Sequence, residues 1–146
     1  MMVTIRPAIP ADATTLRALM RELATYQGQA SDVAVSADRL KDLLTSRREI
    51  GYLIAERADK AIGYVSWIER VSLWSGQDYV ALDDLYVSMS ERSTGVGAQL
   101  MHALADASSG RTIRWEVAEA NQAAQRFYQR LGASIFTKKI CRWQRS

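Results

Sequence analysis

Arg92-x-x-Gly95-x-Gly97 puts a guanidinium and two residues without a Cβ where a helix should begin, just after an apolar strand. A helix start leaves about four backbone N–H groups without intrahelical partners and carries roughly half a unit of positive partial charge. Glycine lets an anion come close to that backbone, and Arg92 adds a mobile full charge, so the chemistry on offer is phosphate binding. Neither common nucleotide pattern fits. A P-loop needs Lys-Ser/Thr after its last glycine, and Ala98-Gln99 stand there; a dinucleotide fingerprint needs a third glycine in a βαβ unit. An isolated Gly-x-Gly is also accounted for by a tight turn alone. The rest of the chain must say which phosphorylated ligand is meant.

The elements that hold this stretch follow from periodicity. Tyr79 to Val87 reads as the strand leading in, and the helix runs from about Gly95 to Ser108 with Val96, Leu100, Leu104 and Ala107 inward. Upstream, Val3 to Arg6 is a short strand, and Pro10 and Asp12 suit a first helical turn. Leu16, Leu19, Met20 and Leu23 then mark one buried stripe of a helix that stops near Gly28. Gln27 to Ser36 is small and polar, a loop, and Ser36 can cap a second helix with Leu40, Leu43 and Leu44 on its apolar side. Gly51–Arg57 and Ala61–Glu69 read as a hairpin turning at Ala58-Asp59-Lys60, with Gly63 marking a bulge. Trp74, on the loop after it, is expected to pack against a neighbour rather than to wall a pocket.

Thr112 to Ala118 is a further strand, and Asn121 caps a helix with Ala124, Phe127, Tyr128 and Leu131 on one face and Gly132 at its left-handed end. Ser134–Thr137 and Ile140–Trp143 read as two last short strands. Only β-α-β passages force parallel pairing, so the order predicts one α/β domain, residues 1–146, with a mixed sheet.

Composition narrows the partners. The chain has 146 residues, enough for one sizeable core, and 24% charged residues with a net charge of +3, which is ordinary for a globular protein. Much of that charge sits in Lys138, Lys139, Arg142 and Arg145; elsewhere basic and acidic residues are interspersed, which argues against a nucleic-acid partner. No apolar run nears the roughly 20 residues of a membrane span, and the first residues lack the organisation of a secretion signal. Cys141 is the only cysteine and His102 the only histidine, so no internal disulfide forms, no metal site of the usual ligands is expected, and a reducing cytoplasm is the default compartment. His102 falls off its helix's apolar stripe, and Cys141 reads as a strand residue, not a nucleophile.

Taken together, four pieces resemble the GNAT superfamily of acetyl-CoA-dependent N-acetyltransferases over nearly the whole chain. They are Ile5-Arg6-Pro7-Ala8 with Pro10-Ala11-Asp12; Leu82-Asp83-Asp84-Leu85-Tyr86-Val87; Arg92-x-x-Gly95-x-Gly97; and Val117-Ala118-Glu119-x-Asn121 leading to Phe127-Tyr128-x-x-Leu131-Gly132-Ala133. The likeness is nearest to the diamine (spermidine/spermine) branch. It implies a mostly antiparallel, twisted mixed sheet whose parallel pair, Tyr79–Val87 and Thr112–Ala118, splays open, with flanking helices and a homodimer. It also implies that the N–H groups of Ser93, Thr94, Gly95, Val96, Gly97 and Ala98, with Arg92, hold the diphosphate of acetyl-CoA. Backbone groups of Leu85, Tyr86 and Val87 would pair with the pantetheine arm, and Asn121, Ala124 and Phe127 would complete the cofactor side.

Acetyl transfer to an amine must remove a proton, stabilise an oxyanion and accommodate a departing thiolate. An alkyl ammonium with a pKa near 10.4 is only about 0.1% neutral at pH 7.4, an obstacle of roughly 4 kcal/mol. Asp83, where the diamine branch carries Glu, is either the base, acting directly or through water, or a charge that holds the cation. Asp84 points to the other face unless the strand bulges. Tyr128 matches the family tyrosine that protonates the leaving sulfur, although it also fits the apolar stripe. The acceptor end is expected to be bounded by Tyr26, Gln27, Trp74, Asp83, Asp84 and Glu116. Polyamine enzymes carry an acid at the position of Gln27, so this chain suits a smaller or singly charged amine. Two rivals remain: a protein lysine or N-terminal acetyltransferase, and a non-catalytic acyl-CoA-binding domain.

Overall fold

The computed structural model describes residues 2–28 and 33–146; residues 29–32, within the loop expected over Gln27–Ser36, lie outside the described residues. The chain divides into two compact units, Met1–Trp115 and Glu116–Ser146.

The first unit is a five-stranded sheet in the order β1 (Val3–Pro7), β2 (Ile50–Arg57), β3 (Lys60–Val71), β4 (Asp78–Val87) and β5 (Ile113–Arg114). All neighbours are antiparallel except β4 and β5. The β2–β3 hairpin turns on Ala58 and Asp59, both at positive φ, the pair of left-handed residues whose twist matches the strands they join. One face carries α1 (Ala13–Tyr26) and α2 (Ala37–Ser46), whose Ala13, Leu16, Leu19 and Leu40 form a buried cluster with Ile54, Tyr64 and Tyr86. Asp12 closes the 3-10 turn Pro10–Asp12 that leads into α1 by accepting the Ile9 N–H at 2.7 Å, and the Ser36 hydroxyl opens α2 by accepting the Arg39 N–H at 3.0 Å. The other face carries α3 (Val96–Ala107). Its buried stripe is Val96, Leu100, Met101 and Leu104, continued by Ser108; Ala107, expected inward, is exposed because it falls at the edge of that stripe.

Two irregularities re-aim side chains. Ala55 pairs with Gly63 but Glu56 with Ala61, so Ile62 is the extra residue and the bulge expected at Gly63 falls beside it. Gly63 serves a different need: a Cβ there would sit 2.6 Å from the Tyr86 carbonyl. In β4, Ser66 pairs with Asp84 and Trp67 with Leu82, so Asp83 is the extra residue.

Three expectations need correction. The strand expected over Thr112–Ala118 is paired only at Ile113 and Arg114, because only Val80 and Ala81 lie against it. Trp74 does not pack: it is 100% exposed at the tip between β3 and β4. In the second unit α4 (Gln122–Arg130) forms as expected, but Ser134–Thr137 and Ile140–Trp143 form no strands. Strand-favouring residues describe extended chain, and extended chain becomes a strand only where a ladder partner exists; among the described residues these segments have none. Phe136, Ile140 and Trp143 are exposed there. Among the described residues no helix is long and apolar enough to cross a membrane.

Candidate active site

Between β4 and α3 the backbone turns left-handed twice, at Ser93 (φ +63°) and Gly95 (φ +86°). Gly95 is the N-cap of α3, and no side chain caps it. The first intrahelical bond runs from the Gln99 N–H to the Gly95 carbonyl at 3.0 Å, so the N–H groups of Val96, Gly97 and Ala98 come before it. A Cβ placed on Gly95 would meet nothing within 4 Å. The Thr94 hydroxyl is turned back onto the Glu91 carbonyl. Arg92 lies over the Tyr26 ring at 4.2 Å and within 5.7 Å of the Tyr86 ring, and its Nε donates to the Val87 carbonyl at 3.1 Å.

The edge of β4 beside this turn carries no ladder partner among the described residues. Pairing with β5 ends at Ala81 and Arg114, and among the described residues no strand covers that side from Leu82 to Val87. The Ser88 N–H donates toward β3, to the Ile62 carbonyl at 2.8 Å, and the Asp84 N–H to the Ser66 hydroxyl at 3.1 Å. Main-chain groups alternate along a strand, so Leu85 and Val87 address that edge while Tyr86 addresses β3. The Val87 carbonyl is engaged by Arg92. An unpaired strand edge can take up an extended, amide-bearing molecule as an added strand.

The bulge at Asp83 brings two successive carboxylates to bear on one group of tyrosines. The Tyr64 hydroxyl donates to Asp84 at 3.3 Å. Burial first, then Asp83, hold the Asp84 carboxyl above the usual carboxylate range, against the opposing pull of that hydrogen bond. Burial, then Asp84 and Asp83, push Tyr52 up to about 12. Tyr64 is raised further, again chiefly by burial and next by Asp84. Asp83 itself is exposed. A cavity of about 310 Å³ opens onto Asp84 and Tyr64, walled by Met20, Leu23, Ala24, Gln27 and residues 33–35. Asp84 is the only carboxylate among the described residues that line it, beside the Gln27 amide and the Tyr64 ring.

Of the residues expected around the acceptor, the structure thus brings Gln27 and Asp84 to one cavity with Asp83 beside it. Tyr26 lies instead under Arg92. Trp74 sits beyond Asp78, which is about 20 Å along the strand from Asp84 at about 3.3 Å per residue. Glu116 is exposed in the second unit.

In that unit Asn121 caps α4, its side-chain oxygen accepting the Ala124 N–H at 3.1 Å. Gln125 donates to the carbonyls of Ala118 (3.1 Å) and Glu119 (2.9 Å), tying the helix to the segment before it. Phe127 and Tyr128 lie ring to ring at 5.3 Å on the half-buried face. The helix closes on Gly132 at φ +98°, with the Ala133 N–H on the Tyr128 carbonyl (3.1 Å) and the Gly132 N–H on Gln129 (3.0 Å).

Sequence reasoning missed Tyr64, Ser66 and Glu22. Tyr64 and Ser66 carry no local signal, since strand periodicity alone makes them ordinary inward residues. Glu22 accepts from the Tyr86 hydroxyl at 3.0 Å and from the Ser88 hydroxyl at 2.9 Å. Its position four residues before Tyr26 is the one hint that α1 has a second working face.

The profile of the Acetyltransferase (GNAT) family matches residues 15–133. A thialysine N-epsilon-acetyltransferase from Bos taurus is 27% identical over 148 aligned residues, covering 93% of this chain and 86% of that protein. Among solved structures, a possible acetyltransferase from Clostridium difficile 630 superposes with a TM-score of 0.85 at 20% identity, over 100% of this chain and 99% of that one. An aminoglycoside N-acetyltransferase in complex with CoA superposes with a TM-score of 0.77 at 22% identity, over 98% and 100%.

Proposed function

The chain belongs to the GNAT family of acetyltransferases, and from that premise we propose that it moves an acetyl group from acetyl-CoA directly to a primary amine of a small molecule. The observation that carries this reading is the uncapped start of α3. Its N-cap, Gly95, is left-handed, has no neighbour within 4 Å of a Cβ position, and is joined by a short turn to a strand with an unpaired edge. Ser93 to Ala98 and Arg92 would hold the diphosphate, and the edge at Leu85 and Val87 the pantetheine amides. Acetyl-CoA, when bound, supplies an acetyl group already activated as a thioester.

What remains falls to this chain's own residues. Asp84 seats the ammonium at the end of its cavity and, with its raised proton affinity, accepts its proton. Asp83, exposed next to it, gives the proton a route to solvent. Tyr128 donates to the departing sulfur, and Asn121, Ala124 and Phe127 belong to the cofactor side.

The acceptor this cavity favours is compact and carries one ammonium near an apolar stem. It offers Asp84 but Gln27 where a long polycation would want a further acid. The thialysine acetyltransferase likeness agrees with such an amine, and with the diamine branch read from the sequence. Release of free thiol from acetyl-CoA across a panel of thialysine, lysine, short diamines, spermidine and an aminoglycoside tests it. Thialysine or a short amine should lead. Spermidine ahead of every short amine would overturn the acceptor assignment, and no thiol release with any amine would overturn the transferase reading.

A further inference from the structure

Helix α1 presents two different stripes at its carboxyl end. Met20, Leu23 and Gln27, spaced 3 and 4 apart, line the acceptor cavity. Glu22 and Tyr26, also one turn apart, face the passage from β4 to α3 instead. There Glu22 accepts from the hydroxyls of Tyr86 and Ser88, and the Tyr26 ring lies 4.2 Å beneath the Arg92 guanidinium. Tyr26 is 56% exposed, is the last residue of its helix, and is not among the residues that line the cavity. Among the described residues its ring contact is with Arg92.

We propose that Tyr26 is a positioning residue for cofactor binding, holding Arg92 for the diphosphate, and not a wall of the acceptor pocket. This rests on the reading above in which residues 92–98 grip the diphosphate. A guanidinium has five N–H donors, and only Nε of Arg92 is engaged, on Val87, among the described residues. The terminal nitrogens stay available to phosphate oxygens provided the long side chain is held in place. An aromatic face does that without competing for those donors. Two rings, Tyr26 from α1 and Tyr86 from β4, together with the Val87 carbonyl fix the guanidinium from three sides.

The test is calorimetric titration of the full chain with CoA and, separately, with pantetheine, which lacks the diphosphate. Tyr26→Leu should weaken CoA about three- to fivefold. It should leave pantetheine unchanged, and Tyr26→Phe, which keeps the ring, should bind CoA as the wild type does. Unaltered CoA affinity in Tyr26→Leu would overturn the proposal, as would equal weakening of both ligands or a loss in Tyr26→Phe matching that in Tyr26→Leu. Failure of the wild type to prefer CoA over pantetheine would instead remove the diphosphate cradle itself, a result distinguishable from the others because it needs no variant.

Discussion

The Ser66 hydroxyl accepts the Asp84 backbone N–H at 3.1 Å, taking the place a ladder carbonyl would hold in a regular strand pair. Ser66 is 4% exposed, so the bond is shielded from water. It therefore closes the bulge that inserts Asp83 and turns the two carboxylates toward Tyr52 and Tyr64. Ser66→Ala would leave that N–H without an acceptor, at a cost of about 1–2 kcal/mol by denaturant unfolding. The same variant should lower kcat/KM for the amine while CoA affinity measured by calorimetry holds. Parallel losses in both would deny the bulge its specific link to the acceptor side.

Asp84 works against stability and for function. Its folded pKa is raised, so its ionised form is disfavoured in the native state at neutral pH, and the penalty lifts as pH falls through the raised value. Asp84→Asn should therefore raise the melting temperature at pH 7 by about 2–4 °C. It should also cut kcat/KM by about 100-fold. In the wild type the acid limb of kcat/KM should lie above the usual aspartate value, since the protonated carboxyl no longer attracts an ammonium, and that limb should vanish in the variant. A lower melting temperature in Asp84→Asn would contradict this sign.

Asp12 has the opposite sign. The Arg6 guanidinium, hydrogen-bonded to it at 2.8 and 2.9 Å, holds its carboxyl below the usual range. Its contribution is present above the unfolded value near about 3.9 and is lost as pH falls through the folded one. Asp12→Asn should cost about 1 kcal/mol at pH 7 and nothing in strong acid, read from urea melts at the two pH values.

Gly95→Ala isolates the cradle's backbone. At φ +86° a Cβ meets no neighbour within 4 Å, so the penalty is conformational, about 1–2 kcal/mol. If the chain relieves it by leaving the left-handed region, the N–H groups of Val96 to Ala98 are re-aimed, and CoA should bind several-fold more weakly. Pantetheine binding should be spared. Unchanged CoA affinity would separate the turn from the ligand.

How much of this could be read beforehand depended on whether a residue's role was local. Caps were legible at Ser36, Asn121 and Gly132 because each acts on backbone within three to five residues of itself. The stripe Leu16–Leu19 was legible because burial follows helical period. The bulge at Asp83 was not, since it is a relation between β4 and Ser66 of another strand. Nor was the position of Tyr26, which depends on where Arg92 lies 66 positions later. The terminal strands failed for the same reason: the strand-favouring residues at Ile140–Trp143 are a local signal, whereas a ladder partner is not.

Tyr128 stands at the one point where sequence period and family pattern read differently, as core or as acid. The structure gives it the ring of Phe127 at 5.3 Å and a main-chain carbonyl that closes the Gly132 turn. Both of these contacts are made by its ring and its backbone. Tyr128→Phe keeps the ring pair and the turn, so it tests the hydroxyl alone. If its hydroxyl serves the departing sulfur, the loss should be moderate, because a thiol with a pKa near about 8.5 leaves tolerably well unaided. The expected result is about a 10- to 100-fold fall in kcat, no change in CoA affinity, and a steeper dependence of rate on thiol pKa with thioesters of graded acidity. Wild-type kcat in Tyr128→Phe would take Tyr128 out of the catalytic machinery and leave it as half of an aromatic pair.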